Sequence, residues 1–522
     1  DSALHAALLR LASLENDGIG VLKQTDRLLA KRFTSQLPLQ GRLLQLRTLA
    51  SASTDSMWPS VRQSMESPVP ALKRVRELTQ AAIIPPAPAP GDPAAAAASW
   101  GAARSLADAH LMEALLSDLS LARIAVPEVN PPRVATTDVD EIPDGTVLLT
   151  FLVDSGRIIA SASRDGVTRT WVVPGANRLP AMVSRLLQDI GASQSRGKRL
   201  PDDDTQWKAA ATKIRSYLFP ADSGWSEDGL ERVIVVPDGP LWYLPFELLP
   251  LADIAASNGE ENAEPKPESR WADALDVQYA PTPGLALRNA DGATSADQIA
   301  MVAGNFFAVR DAQANEAMVR DVMQTADNAI ISSLVASPAT SNMGLNVGHL
   351  IVAAPITPNL KSPLSTQIIP LDSTSGQAAG RSDTLRDWVR LPASGPRTVF
   401  LPGLRTSAAT SKLGDGSELF YPMISLQASG VREVGLSRWA TGGASAAAVL
   451  SEVVNEVPYT SLAAAIRRGT MMLRQTELSL SREPLLGKAD SEATEISGDE
   501  PLFWATYLSS GSLQLAPPTK ED

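Results

Sequence analysis

Five short apolar runs constrain this chain more than any other feature. They are VIVVP at 233–237, IAMVAG at 299–304, HLIVAAP at 349–355, TVFLPG at 398–403 and VREVGLSRW at 431–439. Helical stretches separate them. Runs this short and this apolar are what strands need when both of their faces are covered. Their alternation with helices predicts a mostly parallel sheet with helices on both sides, and strands 233–237, 299–304, 350–354, 398–402 and 432–437 are expected in one central sheet.

The region before them reads differently. Residues 145–175 hold three β-rich runs split by DSGR and RDG turns, the pattern of an antiparallel meander. Helices are expected at 178–192 and near 205–218. Residues 1–84 read as a helical region. Leu4, Leu8, Leu11 and Leu14 recur at helical spacing, widened by Leu9, and Leu22, Leu28 and Leu29 mark a second stripe. Further helices are expected at 40–52 and 69–82, without a convincing 34-residue period. The proline- and alanine-rich stretch at 85–99 favours extended polyproline II and reads as a semi-rigid linker. Residues 100–135 read as a helix through Leu106, Leu111, Leu115 and Leu116, followed by a Pro-containing break. The main domain is expected over 136–515. Polar, acidic stretches at 257–269 and 481–500 read as exposed loops.

Composition narrows the function. The net charge of −12 shows no basic stripe of the kind nucleic-acid binders carry, so nucleic acid is not an expected partner. No run of 18 apolar residues is present, so no membrane span is expected. The three histidines, His5, His110 and His349, are too dispersed for a local metal motif, and neither a metal nor a cofactor is expected. The 522 residues include no cysteine, which excludes disulfides, cysteine–zinc sites and a thiolate nucleophile together. With a chain that opens on Asp1 rather than Met, this composition leans towards an exported protein after N-terminal processing over a cytoplasmic one.

The segment VIVVPDGPLWYLPFELLPL at 233–251 carries Pro237, Asp238, Gly239, Leu241, Tyr243, Pro245, Phe246, Glu247 and Leu249. Physically it is a buried strand, a tight turn and a proline-started helical turn. It resembles the corresponding segment of CHAT domains, a branch of the caspase-like cysteine peptidases. The meander at 145–175, VQYAPTPGLA at 277–286, GLSRWATGGASAAAVLSEV at 435–453, SLAAAIRRGTMMLR at 461–474 and DEPLFWATYLSSG at 499–511 resemble further family segments, in the family's order. The resemblance implies an α/β fold. It consists of a caspase-like central sheet flanked by helices, a preceding antiparallel meander and an N-terminal all-helical region.

The resemblance also implies a catalytic His and a catalytic Cys, and both are missing. The family's His strand carries one His and then the catalytic His four residues on. Here GHLIVAAPI places His349 at the first and Ala353 at the second. The nucleophile strand normally ends Leu-Ser-Ala-Cys-Asn-Thr; here it reads LPGLRT, with Leu404 in the cysteine's place. Neither Ala nor Leu can form a nucleophile or accept a proton. The chain is therefore expected to be a non-catalytic pseudo-peptidase, not an enzyme, that serves as a protein-interaction or structural component of an assembly. Its expected partners are other protein chains, copies of itself among them.

Two alternatives stay open. A hydrolase could use Thr406, Ser407, Thr410 or Ser411, just past the strand end, with His349 as base. A regulatory subunit could bind peptide in the old cleft through Gly403, Arg405 and Trp439. His349 reads equally as a core histidine, Trp439 as core packing, Arg405 as a solvated loop residue. Asp238 and Glu247 look like an acid pair but read as turn and helix-start residues. The N-terminal helices, with little of their own chain to pack on, are expected to find a partner.

Overall fold

The computed structural model describes residues 2–51, 128–193, 205–251, 269–287, 299–304, 306–307, 312–324, 329–333, 348–368, 384–390, 396–410, 412–483 and 495–511. The helices expected at 69–82 and 100–122, the linker at 85–99 and most of the loop at 257–269 lie outside them.

Helices α1 (Ser2–Leu14), α2 (Gly18–Thr34) and α3 (Arg42–Ser51) come first. The meander follows as β1 (Thr146–Asp154), β2 (Arg157–Arg164) and β3 (Val167–Pro174), then β4 (Arg232–Val236) and β5 (Asp276–Tyr279). These five strands form one sheet in the order β3-β2-β1-β4-β5. A second sheet holds β6 (Ile299–Ala303), β7 (Ala329–Ser333), β8 (His349–Ala353), β9 (Thr398–Leu401) and β10 (Glu433–Ser437). A short hairpin pairs β11 (Glu477–Ser479) with β12 (Glu495–Ser497), so part of the stretch expected as loop is strand. Strand β13 (Tyr507–Ser509) closes the second sheet, whose order is β13-β10-β9-β8-β6-β7.

One expectation is corrected. Strand β4 does not join the other four runs. It pairs in parallel with β1, Thr146 opposite Arg232 and Thr150 opposite Val236. An apolar run buried on both faces fits either sheet, and its pairing partner, not its composition, decides which. The other four runs do share one sheet, and β6, β8, β9 and β10 are parallel to one another. The two sheets meet at one parallel bridge, Tyr279 with Ser510, where the Gly511 N–H donates to the Tyr279 carbonyl at 2.8 Å.

The N-terminal helices do not stand apart. Val21, Leu22, Leu29 and Phe33 are wholly buried. Arg32 forks onto Asp238 at 2.5 and 3.3 Å, and Arg10 onto Asp154 at 2.6 and 2.9 Å. Buried Asp26 accepts from the Gly284 N–H at 2.8 Å. Helices α1 and α2 of the expected separate helical region are thus packed on the first sheet by their inward faces. The outward face of α1 is the exception: Leu4, Leu8, Leu11 and Leu14, the stripe that stands out in the sequence, remain exposed.

Candidate functional site

Strands β8 and β9 are parallel neighbours, so the chain ends that follow Ala353 and Leu401 emerge side by side. Parallel α/β sheets place their sites at such ends. Here the ends are stitched together. The Gly304 N–H donates to the Ala353 carbonyl at 2.9 Å, the Ile356 N–H to the Gly403 carbonyl at 2.8 Å, and the Arg405 N–H to the Ile356 carbonyl at 2.8 Å. Ile356 and Leu404 form a parallel bridge. Within the strands, partners differ by 49 residues (349 with 398, 351 with 400). At the bridge they differ by 48 (356 with 404), so the β8 side carries one extra residue after the strand.

Ala353 and Leu404, the residues that the resemblance sets at the catalytic places, are both wholly buried. Neither side chain faces an open cleft. Gly403 explains part of the fit: a Cβ there would stand 1.9 Å from the Ala354 carbonyl oxygen and 3.3 Å from the Phe306 ring. Only glycine allows the two backbones to approach this closely. The strand-end loop of β10 joins in, because Ser437 Oγ donates to the Leu404 carbonyl at 3.1 Å and Thr441 Oγ1 to the Pro402 carbonyl at 2.8 Å.

The remaining sequence-derived residues separate. His349 is buried at the start of β8, the opposite end of the strand from Ala353, and in register with Thr398 and Ile299. Trp439 is buried, with its indole N–H donating to the Leu502 carbonyl at 3.0 Å. Arg405 alone of the three residues considered for peptide binding is exposed. An open groove of about 520 Å³ lies elsewhere, lined by Arg32, Asp238, Lys361, Asp415, Phe420 and Tyr421 among others. Gly403, Arg405 and Trp439 do not line it.

Past Leu404 a polar cluster forms that the sequence did not disclose. Helix α4 (Ser417–Ala428) contributes Glu418, whose buried carboxylate accepts from the Ser407 N–H at 2.9 and 3.0 Å. It also accepts from Ser407 Oγ and Tyr243 Oη, each at 2.5 Å. The Gly414 N–H donates to Ser407 Oγ at 2.8 Å. Burial and the facing Glu418 carboxylate push the Tyr243 phenol far above its ordinary range, so it remains a donor. Thr406 Oγ1 donates to the Arg438 carbonyl and accepts from the Ala408 N–H at 3.1 Å. Among the described residues, no histidine is a partner of these hydroxyls.

Arg438, also missed, sits at the seam of the two sheets. It is wholly buried and donates to the carbonyls of Ala505 at 2.9 Å and Tyr507 at 3.1 Å. Its second nitrogen meets Glu247 at 3.2 Å, and its guanidinium lies 4.8 Å from the Tyr279 ring centroid. Tyr279 Oη donates to Glu247 at 2.9 Å. Burial raises the Glu247 carboxyl above its usual range while Arg438 opposes the shift. A signal was present in the sequence, since Glu247 and Arg438 both lie inside segments that look like family motifs. Their pairing across 191 residues was not. Asp238 accepts from the Gly239 N–H at 2.8 Å and the Val153 N–H at 3.0 Å, which is the turn role read from the sequence.

The family model described as CHAT domain matches residues 207–512, more than half of the chain. The chain belongs to the CHAT domain family. No curated protein matches its sequence. Among solved structures it is similar to separase in the Saccharomyces cerevisiae separase–securin complex, at 9% identity and a TM-score of 0.40, covering 96% of this chain and 38% of that one. It is also similar to the Arg-specific cysteine proteinase gingipain R, at 9% identity and a TM-score of 0.31, covering 65% of this chain and 75% of that one. The chain thus spans under two fifths of the length of the separase chain it matches.

The CHAT match opens within the helix Thr205–Leu218 and includes β8, β9, Arg438 and the terminal strand β13. The meander and helix α2 precede it and pack against it. Within the CHAT match, β8 and β9 lie side by side, and Ala353 and Leu404 at their ends are buried.

Proposed function

We propose that this chain is a non-catalytic CHAT-family pseudo-peptidase that acts as a protein-interaction or structural component of an assembly. The observation that carries the reading is the closure around Ala353 and Leu404. Both side chains are wholly buried, and backbone hydrogen bonds join the segments that follow the two strands. Covalent catalysis needs a nucleophile, a base within hydrogen-bond reach and room for the scissile group. Leucine and alanine supply none of these, and the absence of any cysteine removes a rescue by a shifted alignment.

The hydrolase reading has one observation in its favour, the Ser407 hydroxyl 2.5 Å from a carboxylate. Three features weigh against it. Glu418 already accepts from the Ser407 N–H and from Tyr243, which marks it as a loop anchor. Ser407 Oγ accepts from the Gly414 N–H, which occupies a lone pair that attack would use. His349, the base considered for it, lies at the far end of β8.

The test is incubation of the purified full chain with a fluorophosphonate probe, a chloromethyl ketone series and a mixed peptide library. No labelling and no cleavage are expected. Labelling that is lost in Ser407→Ala overturns the reading in favour of the hydrolase.

A further inference from the structure

Helix α1 is apolar on two sides, and the fold covers only one. Leu9 and Ala12 are buried, while Leu4, Leu8, Leu11 and Leu14 are 58, 37, 50 and 78% exposed. At 3.6 residues per turn these four leucines and exposed Ala7 share one side, opposite Leu9. A helix that is apolar all round is ordinarily covered all round.

Resting on the reading of this chain as an interaction component, we propose that the outward face of α1 is a self-association surface on which two copies pair antiparallel about a two-fold axis. Two observations select a second copy. The first is charge. Between Ser2 and Leu14 the only charged side chain is Arg10, and Asp154 of the same chain holds it at 2.6 and 2.9 Å. An acidic or basic partner finds nothing there to pair with. Although the chain carries a net charge of −12, α1 has no acidic residue to repel its own copy.

The second is spacing. Positions 4, 7, 11 and 14 follow a 3-4-3 pattern that reads the same in reverse. Run antiparallel, Leu4 meets Leu14 of the other copy and Ala7 meets Leu11, with Leu8 on the flank, as in an a/d seam. Such a contact is isologous and closes at two copies. Its size predicts its strength. The exposed leucine surface is a patch of roughly a few hundred Å², whereas a stable interface buries about 800 Å² per partner. The pair is therefore weak and forms in the micromolar range.

Sedimentation velocity on the full chain from about 1 to 200 µM tests this. A monomer–dimer equilibrium is expected, strengthened by added salt as the net charge is screened. Leu4→Glu with Leu11→Glu, both exposed positions, is expected to weaken it at least ~10-fold while leaving the circular dichroism melt in place. Because the chain has no cysteine, orientation can be read by cross-linking. Under mild oxidation Ala7→Cys mixed with Leu11→Cys should give a covalent dimer that neither variant gives alone.

Efficient self-cross-linking of each variant alone means a parallel pair and overturns the inference. So does a monomer at every concentration, whether α1 exchanges its amides freely or is protected by other parts of its own chain. If the chain is monomeric and inert to the probes above, this inference alone falls. If it dimerises but hydrolyses peptides, the functional reading falls.

Discussion

Buried Arg438 and Glu247 meet at 3.2 Å where the two sheets join. The same guanidinium holds the carbonyls of Ala505 and Tyr507. Removing it leaves a mostly buried carboxylate with Tyr279 as its remaining side-chain partner and strands two backbone acceptors. Arg438→Met is expected to cost about 3–5 kcal/mol, the range for breaking a buried pair from one side. Arg438→Lys should recover little, because one ammonium cannot reproduce a planar fork with three separate partners. Urea denaturation checks both; a Lys variant within 1 kcal/mol of the parent would show that charge, not geometry, matters here.

A second prediction concerns Gly403 and separates crowding from backbone conformation. Gly403→Ala drives its Cβ to 1.9 Å from the Ala354 carbonyl, between two backbones that cannot easily part. A loss of about 3 kcal/mol is expected, at the upper end for overpacking. The comparison is Gly156→Ala, a turn glycine at φ +84° with nothing within 4 Å of the added methyl. Only conformational strain acts there, about 1–2 kcal/mol. Equal losses at the two positions would mean that the closed strand ends are looser than described.

The contrast between strand ends and strand pairing marks what a sequence of this kind discloses. The meander and four of the five sheet runs were legible, because turns and apolar runs are local. Strand β4 went to the wrong sheet, since VIVV is equally suited to any doubly covered place and its partner β1 lies some eighty residues earlier. An apolar filling at Leu404 and Pro402 could be read from the residues, but the backbone geometry there was illegible for the same reason. It depends on a one-residue change of register after β8, on Gly403 meeting Ala354, and on Phe306 from a third strand end. The leucines of α1 were read correctly as an apolar face, but Leu9 and Ala12, weaker in the pattern, are the residues that pack at home.

Asp26 gives the chain a pH dependence with a definite sign. Its carboxyl is buried, and desolvation raises its pKa to about 6, against the opposing pull of Arg133 and the N–H groups of Gly284 and Val134. The folded state thus binds this proton more tightly than the unfolded state, whose pKa is the ordinary 3.8. The stability it contributes is fully present below pH 4 and is lost as pH rises towards 6. The loss is on the order of 3 kcal/mol. Denaturation of the parent and of Asp26→Asn across pH 4–7 isolates it, because other carboxylates cancel in the difference. The parent should fall relative to the variant over pH 4–6; a gap that widens the other way would contradict the burial of this helix face.

The last prediction is that restoring the two catalytic residue types does not restore catalysis. Ala353 and Leu404 are wholly buried among apolar neighbours, with strand ends hydrogen-bonded across them. Ala353→His forces an imidazole into space sized for a methyl group, which overpacks the core and costs about 1–3 kcal/mol. Leu404→Cys leaves a thiol in an apolar setting that raises its pKa and keeps it from forming thiolate. The double variant should therefore melt lower than the parent, cleave no peptide and react with iodoacetamide only as fast as it unfolds. Intact-mass measurement of alkylation with and without urea reads this directly. Rapid alkylation in the native state would mean that the strand ends open without unfolding.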